Sequence, residues 1–123
     1  MPTLADLLPD LAEELAAALR TSGRDDLAAQ LGEVEVDRWT HDTSCNAAYI
    51  YLRSPRRLNV VEQNIIGVKH GETVPVEHRR WVNVDTDSFG RMTGIELLSP
   101  GDVPARLAAR IALHSSGPPD RER

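Results

Sequence analysis

Leu4, Leu8, Leu11, Leu15 and Ala18 recur at alternating spacings of four and three residues, and Leu7 and Leu19 widen the stripe, which is the period of a helix with one apolar face. Thr3 or Asp10 is placed to cap it. Pro9 suits a first helical turn and not a helix interior. The pattern therefore predicts a short helix or kink, then a main helix from about Asp10 to Thr21 that Gly23 ends. A second short helix is predicted from about Asp25 to Leu31, with two acids at its positive end and Gly32 just past it. Residues 1–32 thus read as a helical hairpin, an arm ahead of the rest.

From Glu33 the period falls to two. Val34 and Val36 alternate with Glu33, Glu35 and Asp37, and "AAYIYLR" sets Ala48, Ile50 and Leu52 against Ala47, Tyr49 and Tyr51, so both read as strands with one buried face. "RSPRR" reads as an exposed turn, "LNVVEQNIIGV" as a strand, "KHGE" as a turn, and "TVPVEH" as a strand whose Pro75 belongs on an edge. Trp81 to Asp85 and Met92 to Leu98 make the clearest hairpin. In "VPARLAARIAL", Val103, Leu107, Ile111 and Leu113 fall near one helical face, with Pro104 in the first turn and Asp102 as a candidate cap, so this helix is expected to cover the sheet. The expected fold class is α+β: the N-terminal helical hairpin, then a twisted antiparallel sheet of four to five strands with a covering C-terminal helix over residues 33–113. Residues 114–123, without apolar period, are expected to be a disordered tail.

A chain of 123 residues has the size of one domain. Aromatic residues are only 4%, so the core must be built from aliphatic side chains. The net charge of −5 is uneven: residues 1–37 hold nine acids against Arg20 and Arg24, whereas the remainder is slightly basic. That asymmetry suits an arm seated on a basic body or a basic protein partner, and it makes nucleic acid an unfavoured ligand. No apolar run approaches the roughly 18 residues of a membrane span, so none is expected. The single Cys45 and an N-terminal stretch without a basic start and apolar block lead to the expectation of a cytoplasmic protein.

The stretch "VNVDTDSFGRMTGIELL" concentrates candidate chemistry. Asp85, Asp87, Phe89, Gly90 and Glu96 occupy positions 1, 3, 5, 6 and 12 of a calcium-loop pattern, but Phe89 offers no oxygen and the flanks read as strands where that loop needs helices. As an acid–base pair, Asp85 and Asp87 would project from one strand face about 7 Å apart, at a hairpin tip open to water. The turn reading accounts for more residues. Asp87 accepts a backbone hydrogen bond two residues on, Gly90 takes the left-handed conformation, and Gly94 leaves room for a large neighbour such as Trp81. With a four-residue loop, Val82, Val84, Ile95 and Leu97 share the buried face, and Asn83, Asp85 and Glu96 lie opposite.

Two segments resemble a bacterial family, domain of unknown function number two thousand two hundred and eighty-three, whose members carry Y-D-x-x-x-D-A-x-Y-I-x-L followed by V-x-V-D-x-D-x-x-G-x-x-x-G-I-E-I-L. In "HDTSCNAAYIYL" the matches are Asp42, Ala47, Tyr49, Ile50 and Leu52, with His41 for the usual Tyr and Asn46 for the second Asp. In the second segment Val82, Val84, Asp85, Asp87, Gly90, Gly94, Ile95, Glu96 and Leu98 match. The resemblance covers about residues 39 to 100. It implies a small antiparallel fold that self-associates, without an established activity. Some similar proteins look like the antitoxin halves of toxin–antitoxin pairs.

The remaining constellations carry less. His41, His70, His78 and His114 show no zinc-ligand spacing, no second Cys joins Cys45, and no nucleophile elbow is present, so neither a metal nor another cofactor is expected. Cys45 would be reactive if flanked by His41, and otherwise reads as a small buried hydrophobe. Arg53, Arg56 and Arg57, with Arg79 and Arg80, form a candidate basic edge near Tyr49, Tyr51 and Trp81, either a single-strand surface or a seat for the acidic arm. Phe89 at the turn tip, Arg56, Arg57, Arg79 and Arg80 are the candidate partner contacts. The expectation is a non-enzymatic protein-binding module, a homodimer and antitoxin-like. The alternative is a small-ligand or metal-binding protein using the face with Asp85, Glu96 and Tyr49.

Overall fold

The computed structural model of the protein describes residues 2–59, 61, 67–77 and 81–115. Its element order is α1 (Leu4–Leu7), α2 (Pro9–Thr21), α3 (Asp25–Gln30), β1 (Glu35–Asp42), β2 (Ala47–Arg53), β3 (His70–Glu77), β4 (Trp81–Asp87), β5 (Met92–Leu98) and α4 (Val103–Ser115). The fold is α+β, as its pattern predicts.

The break before the main helix has a local cause. Thr3 caps α1 reciprocally with Asp6: its hydroxyl accepts the Asp6 N–H at 3.0 Å while the Asp6 carboxylate accepts the Thr3 N–H at 3.3 Å. Pro9 then starts α2 at a position where a missing N–H costs nothing. Gly23, at φ +80°, turns the chain into α3.

The five strands form one sheet in the order β1-β2-β5-β4-β3, every neighbouring pair antiparallel. Alternation sorts the side chains onto two faces. Ala48, Ile50, Leu52, Val76, Val82, Val84, Ile95 and Leu97 are buried beneath the helices, in one cluster with Leu4, Leu7, Leu8, Leu11, Leu15, Leu19, Leu27, Leu31, Val103 and Leu107. Each fully buried leucine contributes about 1.5–3 kcal/mol, so the helical arm is a wall of this core, packed within its own chain. α4 lies beside α1 and adds Val103 and Leu107.

Three expectations are corrected. "KHGE" is not a turn: His70–Glu72 begin β3, with an irregular register between His70 and Thr73 and Gly71 against the Asp87 carbonyl, where a side chain would collide. Leu113 does not join the apolar face of α4 and stands 71% exposed. α4 itself extends through Ser115, two residues into the expected tail, because the helix outlasts its apolar stripe. Pro75 does lie in an edge strand, β3. Most of "LNVVEQNIIGV" and residues 116–123 fall outside the described residues.

Candidate interface on the open face of the sheet

The face away from the helices carries three ranks of side chains, fixed by the strand register. One rank holds Ala47, Leu98 and Trp81. The next holds Thr40, Tyr49, Glu96, Asn83 and Pro75, and the third Arg38, Tyr51, Gly94, Asp85 and Thr73. Tyr49 leans diagonally across the bare Gly94, and its hydroxyl donates to the Asp85 carboxylate at 2.6 Å. A Cβ at residue 94 would run into that phenol, so Gly94 makes room for Tyr49 and not for Trp81. Thr73 donates to the other Asp85 oxygen at 2.6 Å, and Asn83 donates to Glu96 at 2.9 Å. Burial, and then the hydrogen bond to the Asp85 carboxylate, hold the Tyr49 phenol well above the ordinary tyrosine range.

The aromatic rings continue toward β1. Tyr49 and Tyr51 meet edge to face at 4.6 Å, and the Arg38 guanidinium lies 3.8 Å from the centre of the Tyr51 ring. Neither Asp85 nor Glu96 has a cationic partner among the described residues, and Arg38 has no carboxylate. At the other end of the face Trp81 is 77% exposed and pairs across the ladder with Leu98, 38% exposed.

Asp87 works elsewhere. Although two residues from Asp85, it follows a register shift and turns into the hairpin. There it is buried, accepting the Phe89 N–H at 2.9 Å, the Arg91 N–H at 3.0 Å and the Arg91 Nε at 2.7 Å. Gly90, at φ +80°, closes this turn, and its N–H returns to the Asp87 carbonyl. The two carboxylates therefore do not face one another as an acid–base pair. Both oxygens of Asp85 are taken by hydroxyls, and among the described residues no three His, Cys, Asp or Glu side chains are grouped to hold a metal ion.

The β1–β2 turn is held by Asp42, which accepts the Ser44 N–H at 3.0 Å and hydroxyl at 2.6 Å. Ser44, then Cys45, keep its carboxyl below the usual carboxylate range, and the same carboxylate pushes the Cys45 thiol up. Cys45 is exposed, not buried. Asn46 takes a left-handed φ of +51°, which asparagine tolerates better than most residues, and its carbonyl accepts the Ser99 N–H.

The arginines of the expected basic edge are split from Trp81. Arg53 ends β2, while Trp81 is level with Ala47 at its start, so Arg53, Arg56 and Arg57 sit at the opposite end of the sheet. Phe89 is half-buried, and its carbonyl accepts from Arg56 at 3.2 Å. His78, Arg79 and Arg80 lie outside the described residues.

Several positioning groups escape sequence reasoning. Gln30 at the end of α3 donates to the Gly90 carbonyl at 2.9 Å and accepts the Met92 N–H at 2.8 Å, bolting the helical layer to the hairpin turn. Arg24 bridges Asp26 and Glu72 at 3.2 and 2.7 Å, joining α3 to β3. Arg38 and Thr73 join the open face only once the strand order is known, whereas Asn83 was already placed there by the hairpin register. Their outward positions in an alternating strand were the available signal.

Compared with known proteins, the chain matches no family model, no curated protein and no solved structure. The resemblance of the two segments above rests on their residues alone.

Proposed function

We propose that this chain is a cytosolic protein-binding module without catalytic activity, that it works through the open face of its sheet, and that the first occupant of that face is a second copy of the chain. The exposed Trp81–Leu98 pair carries this reading. An exposed tryptophan beside an exposed leucine on a rigid sheet is a form that interface anchors take. The charges support a two-fold arrangement: Arg38 of one copy would supply the cation that Asp85 and Glu96 of the other lack among the described residues, and the reverse. The face is otherwise internally hydrogen-bonded, so docking would leave few polar groups to rearrange.

The same carboxylates would receive a basic protein partner. This supports the antitoxin-like reading, in which a partner's arginine or lysine replaces Arg38 of the second copy. The test is sedimentation over a wide concentration range. A dimer that Trp81→Ser weakens by about tenfold or more is expected, since an interface anchor is worth about 2 kcal/mol. A wild-type chain that stays monomeric at every concentration refutes self-association. Failure to retain any basic partner in a pull-down from native lysate would then remove the wider binding reading.

A further inference from the structure

At the end of the sheet away from Trp81, a groove of about 540 Å³ is lined by Arg53, Ser54, Arg56, Arg57, Arg91 and Glu35, with Pro55 and Leu58 completing its wall. Four arginines and Glu35 line it, and with Asp37 paired to Arg53 and Asp87 to Arg91 the groove still keeps a net positive charge, on a chain whose net charge is −5. We propose that this groove binds the phosphoryl group of a small phosphorylated ligand.

The cationic wall is built in place. Arg91 is held by the buried Asp87 through its Nε at 2.7 Å and by the Arg56 carbonyl through Nη1 at 3.2 Å, which leaves Nη2 unspent among the described residues. Asp87 is filled by two backbone N–H groups and Arg91, and it offsets the Arg91 charge, so Arg91 offers an incoming anion a fixed N–H donor more than a net charge. Arg53 is oriented by Asp37 through one nitrogen at 2.8 Å, leaving the others available. Arg56 anchors the loop to the Phe89 carbonyl at 3.2 Å. Arg57 makes no hydrogen bond or ion pair among the described residues. The Ser54 hydroxyl oxygen accepts the Arg56 N–H at 3.1 Å, which orients its own hydrogen as a donor.

The donor set selects the ligand. A carboxylate is planar and is satisfied by a single guanidinium fork, whereas a phosphoryl group offers three strong acceptor oxygens and a charge of about −1.5 to −2. Only the latter uses Arg53, Arg57 and Arg91 together. The groove is larger than the ion, leaving room for the group that the phosphate esterifies.

The decisive measurement is thermal unfolding and ³¹P titration with inorganic phosphate, then glycerol phosphate, at ionic strength held constant with chloride. A saturable rise in melting temperature is expected. Arg57→Ala and Arg53→Ala should each weaken binding about tenfold or more, the loss of a charge-assisted hydrogen bond. Glu35→Gln should tighten it, and Arg110→Ala on α4 should change nothing. Because Arg57 makes no hydrogen bond or ion pair among the described residues, its variant is expected to unfold like the wild type without phosphate, and an unchanged ligand-free melting temperature checks this. A response that chloride reproduces, or that survives both arginine substitutions, overturns the proposal. So does a short single-stranded oligonucleotide that binds far more tightly with a steep salt dependence, which would make the groove a nucleic-acid seat.

Discussion

The two faces of the sheet are built from alternate residues of the same strands, yet they are held by different physics. Beneath the helices, Ile50, Val84 and Ile95 have no exposed surface and interact only through shape and exclusion of water. On the open side, Tyr49, Asp85, Thr73, Asn83 and Glu96 are organised by directed hydrogen bonds of 2.6–2.9 Å that stay within reach of solvent. The first face makes the fold. The second is pre-arranged at little cost to it, so its residues are free to serve recognition.

The contrast is broken most severely from below. Ile95→Ala, which opens a cavity at the centre of the sheet, is expected to lose about 3 kcal/mol in denaturant unfolding. An open-face substitution that lost as much would show that both faces carry stability equally. Next in size is the pair of neighbouring carboxylates: Asp87→Asn, which discharges a buried group holding Arg91 and two backbone N–H groups, is expected to lose about 2 kcal/mol. Asp85→Asn, at the wetter face, should lose about half that. Equal losses in the same unfolding measurement would erase the distinction drawn between them.

The smallest effect concerns pH. The folded state raises the Tyr49 pKa, so this group's contribution is fully present below the ordinary tyrosine value of about 10 and declines as pH climbs above it toward the folded value. Tyr49→Phe should lose about 1 kcal/mol at neutral pH and flatten the alkaline decline. An unchanged alkaline slope would mean that the phenol does not sense its surroundings.

Much of this architecture was legible in the chain. The period of the leucines gave the helices, Pro9 their break, and the alternation of Val82 to Leu97 both the hairpin and its buried face. Local pattern reached its limit at the strand order. Pairing of β2 with β5 brings Tyr49 over Gly94, and nothing within either segment states that they meet. The missing strand order led the space at Gly94 to be assigned to Trp81. Gln30 was invisible for the same reason: its amide serves a turn sixty residues away. The reading of "KHGE" as a turn failed because Gly71 answers to the Asp87 carbonyl across the ladder and not to a bend in its own backbone. Interactions that close over long chain separations leave no periodic trace.

At its β1 margin the sheet is overlaid by the first residues of the chain: the Val36 N–H reaches the Pro2 carbonyl, the Leu4 N–H reaches the Val34 carbonyl, and the ladder slips at Asp37. At the β3 margin, Pro75 has no hydrogen to lend. Sideways pairing of copies is thereby discouraged at the start of β1 and at the middle of β3, which leaves the Arg38–Asp42 stretch as the edge a neighbouring strand could still reach.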